Sequence, residues 1–238
     1  MSIWFRIGEL VSRASSSRFG VFDVVEAVRT FFAGDPLLRR KVAFSIAMIA
    51  LSAKMAKADG VVTQDEVRAF QQIFAVPAAE ARNVARLYEI ANKDIAGFEA
   101  YAEQMAEMCG SGRENCVMLS EILDGLFYIA TADGVLHERE GDFLRRIAEI
   151  FKIDDAHYRS ILARHVKLGA ADPYVVLGIE RGLPFDEVRR HYRKLVADNH
   201  PDRLIARGVP EEFIAVATAR LAAINAAYEL IEHGLRAA

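Results

Sequence analysis

A chain of 238 residues that is 53% hydrophobic and 26% charged has material for one or two domains with apolar cores and is too apolar to stay disordered. Its formal net charge of −3 excludes an overall basic nucleic-acid binder. The 38 alanines, against 6 prolines and 15 glycines, favour helix, where alanine loses least side-chain entropy. In chain order, Ile3, Trp4, Ile7, Leu10 and Val11 share one face of a short helix within residues 1–19, which either packs on the following domain or makes peripheral contact with a membrane surface. Residues 1–7 lack the basic region and cleavage site of a signal peptide. The longest apolar stretch, 42–53, falls short of the roughly 18 residues needed to cross a bilayer, so a cytoplasmic protein without a transmembrane span is expected. Glycine and proline punctuation then marks helices over 23–32, 37–58, 63–74, 78–92, 97–109, 116–132, 138–151 and 156–165. Apolar stripes at 46, 49, 50, 53 and 56 and at 119, 122, 123, 126, 129 and 130 have helical spacing. An all-α bundle of about seven helices is the fold class expected over 20–165.

A connector, 166–171, leads to a second unit over 172–238. Asp172 before Pro173 reads as a helix N-cap with proline at the first helical position, and Gly178 as the stop. A helix over 184–199 places Phe185, Val188, Tyr192, Leu195 and Val196 on one side and Arg189, Arg190, Arg193 and Lys194 on the other. Pro201 ends it. A last helix, 210–232, buries Phe213, Ala217, Leu221, Ile224, Tyr228 and Ile231 at the same spacing. The two long helices should pack antiparallel, with His200, Pro201 and Asp202 exposed in the connecting loop. From Arg181 to Arg207 there are seven Lys or Arg against four acids, whereas the rest of the chain carries 23 bases against 29 acids. A basic helix face beside a loop bearing one carboxylate is a recognition surface for an acidic partner with an embedded cation.

Within the first unit, Asp59, Gly60, Val61 and Glu66 recur as Asp133, Gly134, Val135 and Glu140 at a constant offset of 74 residues, which suggests two related helical hairpins. The run has the spacing of positions 5, 6, 8 and 12 of an EF-hand loop, but positions 1 and 3 fall on Met55 and Lys57 in the first copy and on Ile129 and Thr131 in the second, and calcium needs six to eight oxygens. A turn explains the run: each glycine adopts the left-handed conformation that ends a helix, and Thr63 with Glu66 forms a capping box. The two copies resemble the TerB helical domain of tellurite-resistance proteins. That resemblance implies an acidic metal site, here at Asp59, Glu66, Asp133 and Glu140; the residues themselves predict no cofactor. Cys109 and Cys116 are too few for a disulfide framework and match no common zinc spacing, so both are expected to be reduced.

Asp172-Pro173-Tyr174 with Leu177-Gly178, Tyr192-Arg193-Lys194-Leu195, His200-Pro201-Asp202 and Ile224-Asn225 with Ala227-Tyr228 together resemble a J-domain of the DnaJ co-chaperone family. A TerB-like domain followed by a J-domain resembles the DjlA class of that family, whose membrane-spanning segment is not expected here. The resemblance implies docking on a DnaK-type chaperone and stimulation of its ATP hydrolysis. His200, Pro201 and Asp202 would form the stimulatory loop, Arg189, Arg190, Arg193 and Lys194 the electrostatic docking groups, and the TerB-like domain would target a client protein or a site. With the chain ending six residues after Glu232, general client holding is not expected here. The alternative function is a metal-responsive stress protein using the acidic motifs. An enzyme is not expected, because no Gly-rich phosphate loop or nucleophile motif is present and His137, His157 and His165 read as surface or capping residues.

Overall fold

The computed structural model describes residues 5, 7, 9, 35–59, 64–74, 79, 81–93, 97–108, 115–165 and 171–237. Asp35 opens helix α1 (Pro36–Asp59), its carboxylate accepting the backbone N–H groups of Leu37 and Leu38 at 3.1 and 3.0 Å. Pro36 takes the first helical position, where its missing donor costs nothing. The sequence predicts a stripe on this helix; instead every residue from Val42 to Met55 is buried. The reason is that α1 is central, packed against α3 (Ala81–Lys93), α4 (Phe98–Met108), α5 (Val117–Ala130) and α6 (Glu138–Ile150). A helix covered on all sides needs an apolar surface all round. Helix α2 (Gln64–Ile73) packs on α5, and α7 (Asp155–His165) closes the bundle against the same helix. Ile7 is fully buried in this core, which matches the packed reading of the N-terminal segment; Ile3, Trp4, Leu10, Val11 and the helix expected over 23–32 lie outside the described residues.

The C-terminal elements are α8 (Pro173–Leu177), α9 (Phe185–Asp198), α10 (Pro201–Ala206), a 3-10 turn (Glu211–Phe213) and α11 (Ile214–Ala237). Asp172 caps α8 by accepting the Tyr174 N–H at 3.0 Å, and Gly178 ends it with φ +68, as expected. The last carbonyls of this short helix are satisfied from outside: Ser160 Oγ donates to Val176 O at 3.0 Å, and His191 Nε2 lies 2.9 Å from Leu177 O. Val176, Leu177, Val188, Ile224, Ala227 and Ile231 form a small core of their own. Phe185 lies against Tyr228, Tyr192 bonds Asn225 at 3.1 Å, and Asn199 meets Arg220. The pairing therefore runs in opposite directions along α9 and α11, and the two helices are antiparallel.

No strand occurs among the described residues, and the all-α class holds. The second unit, however, also shares the first unit's core: Leu204, Val209, Phe213, Val216 and Ala217 belong to the main apolar cluster with α1 and α5. Phe213 makes the closest joint. Its ring meets Phe44 edge-on with centroids 4.8 Å apart and lies over Gly125, where a Cβ would stand 2.8 Å from its Cε2. Ile214–Leu235, 22 residues, is by length and composition long and apolar enough to cross a membrane, the one such helix among the described residues. That corrects the expectation that no stretch reaches this length, which followed uninterrupted apolar runs, whereas Thr218, Arg220 and Asn225 interrupt this one. A core helix of a helical protein meets the same test, and the buried residues of this one point into both cores.

Candidate functional site

Helix α10 begins on the His-Pro-Asp run. His200 is its N-cap in extended conformation, Pro201 its first residue, and the Asp202 N–H approaches His200 Nδ1 at 3.3 Å. The three residues are thus the opening turn of a short helix rather than a loop, because proline ends α9 and its fixed φ starts α10. The expected exposure holds: the Asp202 side chain is 88% exposed and the His200 ring 55%. Asp202 Oδ2 lies 3.6 Å from His200 Nδ1. Behind it, Asp198 pairs with Arg203 at 2.8 Å and Arg207 at 3.6 Å, tying the end of α9 to α10. A groove of about 470 Å³ runs beside the turn, with Tyr192, Val196 and Ala197 as apolar wall and His200 and Asp202 at the rim. Arg189, Arg190, Arg193 and Lys194 are all exposed on α9. The structure thus brings the seven residues of the expected recognition surface onto one helix and the turn after it.

The acidic repeat reads differently. Gly134 has φ +87, and Asp133 accepts the Val135 N–H at 2.9 Å, which is a turn stabilised by its own side chain. Glu140 is buried and accepts the His137 N–H at 3.1 Å, closing the N-terminus of α6. The side chains of Asp59 and Glu66, together with Gly60 and Thr63, lie outside the described residues. Among the described residues no group of three or more His, Cys, Asp or Glu is placed to hold a metal. Cys116 is disulfide-bonded, correcting the expectation of reduced thiols; its spacing from Cys109 argued against zinc but not against a direct bond. Cys109 lies outside the described residues.

A second polar centre is not apparent from the sequence pattern. Glu121 and Asp124, three residues apart on α5, are buried, and their partner is the buried Arg220 of α11. Arg220 Nε donates to Asp124 Oδ2 at 2.9 Å, Nη1 to Glu121 Oε1 at 2.6 Å and Nη2 to Glu121 Oε2. Nη1 also donates to Asn199 Oδ1 at 2.8 Å. From the end of α7, Arg164 Nη2 and His165 Nε2 reach Asp124 Oδ1 at 3.4 and 3.1 Å. His165 is therefore no surface residue; it stacks on Phe127 beside the acid. Burial alone would raise the Asp124 pKa, but Arg220, Arg164 and His165 outweigh it and hold the carboxyl well below the usual carboxylate range. Burial likewise opposes the Arg220 charge, and Asp124 with Glu121 more than offsets it. One signal for the centre existed: Arg220 lies between Ala217 and Ile224 on the buried side of α11, whereas Glu121 and Asp124 sit on the face of α5 opposite its apolar stripe.

The family model for "Tellurite resistance protein TerB" matches residues 45–163, half of the chain. The chain belongs to the TerB family. The matched segment runs from within α1 to α7, so both α5 acids lie in the TerB domain while Arg220 and the His-Pro-Asp turn lie beyond it. The chain is also DjlA-like. A protein named co-chaperone protein DjlA from Photobacterium profundum is 28% identical over 222 residues, covering 81% of this chain and 78% of the relative. Its Vibrio cholerae namesake is 28% identical over 248 residues, 87% and 84% of the two chains. A third, from Vibrio vulnificus, is 44% identical over 62 residues, 26% of this chain and 22% of its own. No solved structure matches the chain.

Proposed function

We propose that this chain is a co-chaperone that recruits a DnaK-type chaperone and stimulates its ATP hydrolysis, while its TerB domain targets a client protein or a site. The observation that carries the reading is the exposed Asp202 carboxylate on a proline-fixed helix turn, set beside the four exposed cations of α9, in a chain whose relatives bear the name co-chaperone. Pro201 restricts the turn before binding, which lowers the ordering cost of association. Asp202 presents both carboxylate oxygens to solvent and can accept a bidentate arginine from the partner. Arg189, Arg190, Arg193 and Lys194 supply a field that speeds encounter with an acidic surface and fixes its register. The groove lined by Tyr192, Val196 and Ala197 gives an apolar segment of the partner a place beside the turn.

The test is a steady-state ATPase assay of a DnaK-type chaperone with the full chain and with Asp202→Asn. The full chain should raise turnover, and the variant should lose that stimulation with an unchanged helical melting profile. Stimulation by Asp202→Asn equal to that by the parent chain would refute the reading.

A further inference from the structure

Two buried carboxylates on one helix of the TerB domain need a cation, since buried charge without a partner is strongly unfavourable. Arg164 and His165 reach Asp124 from within the same domain, but the cation that answers both acids, Arg220, is 96 residues from Asp124 and 99 from Glu121 along the chain. An arginine suits the task because its planar fork can satisfy a bidentate carboxylate and still direct a donor elsewhere. Here that donor is Nη1, which also reaches Asn199 Oδ1 at 2.8 Å. Asn199 in turn donates from Nδ2 to Leu195 O at 2.8 Å, sealing the end of α9, and it is the residue directly before His200. A continuous set of hydrogen bonds therefore runs from the TerB domain through Arg220 and Asn199 to the backbone at which the His-Pro-Asp turn begins. The basic face of α9 takes no part in it.

We propose that Arg220 is a positioning residue: Glu121 and Asp124 of the TerB domain hold it, and through Asn199 it fixes the direction in which His200 and Asp202 are presented to the chaperone. The inference rests on the co-chaperone reading above and adds to it that the TerB domain is a working part of the chaperone-engaging device as well as a targeting module. Phe213, Val216 and Ala217, packed in the main core one and two turns before Arg220, give the chain of bonds a rigid base.

The experiment measures chaperone ATPase against concentration of the full chain for the parent, Arg220→Gln, Arg220→Lys, Asn199→Ala and Asp202→Asn. Arg220→Gln and Asn199→Ala should lower maximal stimulation by about tenfold, within the range set by misplacing a reacting group by roughly 1 Å. The concentration giving half-maximal effect should stay within about twofold, because the α9 cations that set encounter are untouched. Arg220→Lys, which keeps the charge between the acids but lacks the fork, should fall between parent and Arg220→Gln. Asn199→Ala keeps the buried ion pairs and so separates positioning from folding, should Arg220→Gln unfold. Full maximal stimulation by Asn199→Ala would overturn the proposal, as would a change confined to the half-maximal concentration. If the parent itself gives no stimulation, or Asp202→Asn retains it, the co-chaperone reading fails and this inference with it. Loss in Asp202→Asn alone overturns only the inference.

Discussion

Replacing Phe213 by alanine removes the side chain that joins the C-terminal segment to the TerB domain. Phe213 is 1% exposed and its ring meets Phe44 edge-on at 4.8 Å. Truncating a buried phenylalanine costs about 3–5 kcal/mol, of which the aromatic pair accounts for about 0.5–1.5 kcal/mol. The upper part of the range applies, because the facing residue is Gly125 and no side chain on α5 can move in to fill the space. For a chain of this size about 4 kcal/mol corresponds to a fall in melting temperature of roughly 8–16 °C. Gly125 supplies a sharper test. In the parent, Gly125→Ala puts a Cβ 2.8 Å from Cε2 of Phe213 and 2.9 Å from Cε of Met48, and should destabilise. In the Phe213→Ala background the ring is gone and only the flexible end of Met48, which can turn into the vacated space, stays close, so the exchange of an interior helical glycine for alanine should stabilise by up to about 1 kcal/mol. Urea unfolding of the four proteins, followed by circular dichroism, measures both the loss and this reversal of sign. A loss below about 1 kcal/mol for Phe213→Ala, or the same sign for Gly125→Ala in both backgrounds, would refute the packing argument.

Stability should fall on mild acidification. Burial, with Arg164 nearby, pushes the His157 pKa below its ordinary 6.5. The unfolded chain therefore binds more protons than the folded one below that pH, and stability declines from pH 6.5 down to the folded value. Asp124, held well below the carboxylate range, keeps its full contribution until the pH drops below its unfolded value of about 3.9. Denaturation at stepped pH should show His157→Gln without the first decline and with the acid-range loss intact; a parent curve flat from pH 7 to pH 5 is the contrary result. Ser160→Ala should cost about 1–3 kcal/mol by orphaning the Val176 carbonyl at the end of α8. Urea unfolding checks it, and a change under about 0.5 kcal/mol would mean that the carbonyl finds another donor.

Local chemistry makes most of the helices readable. Asp35-Pro36 and Asp172-Pro173 carry cap and first-position proline in adjacent residues, and the structure starts α1 and α8 there. The features that stay hidden depend on residues far apart in sequence. Arg220 sits on the buried side of α11, but counting apolar positions passes over a charge. Apolar spacing assigns that side to Leu221, which is half-buried, as is Tyr228. The partners of Arg220, Glu121 and Asp124, have no sequence proximity to it, and they lie on the face of α5 opposite its apolar stripe, where acids read as solvent-facing although every residue from Leu119 to Phe127 is buried. His200-Pro201-Asp202 is misread as a loop for a different reason. Proline both ends one helix and starts another, and the end of α9 by itself gives no sign that α10 begins at once.

Helix α11 explains how the C-terminal segment can be fixed to the TerB domain and still present a free face. Its first half gives Val216, Ala217 and Arg220 to the main body, and its second half gives Ile224, Ala227 and Ile231 to the small core. Only Val188 of α9 is fully buried in that small core. Helix α9 is therefore held mainly by half-buried aromatic contacts such as Tyr192 on Tyr228, with centroids 4.0 Å apart, and its cations need not be consumed in folding. The two sets of charges then answer to different conditions. Arg220 with Glu121 and Asp124 lies out of solvent and is little affected by salt, whereas the exposed α9 cations act across water over a screening length of about 8–10 Å. The net charge of −3 thus conceals a division of labour, in which buried pairs hold the architecture and exposed cations remain available to an acidic partner.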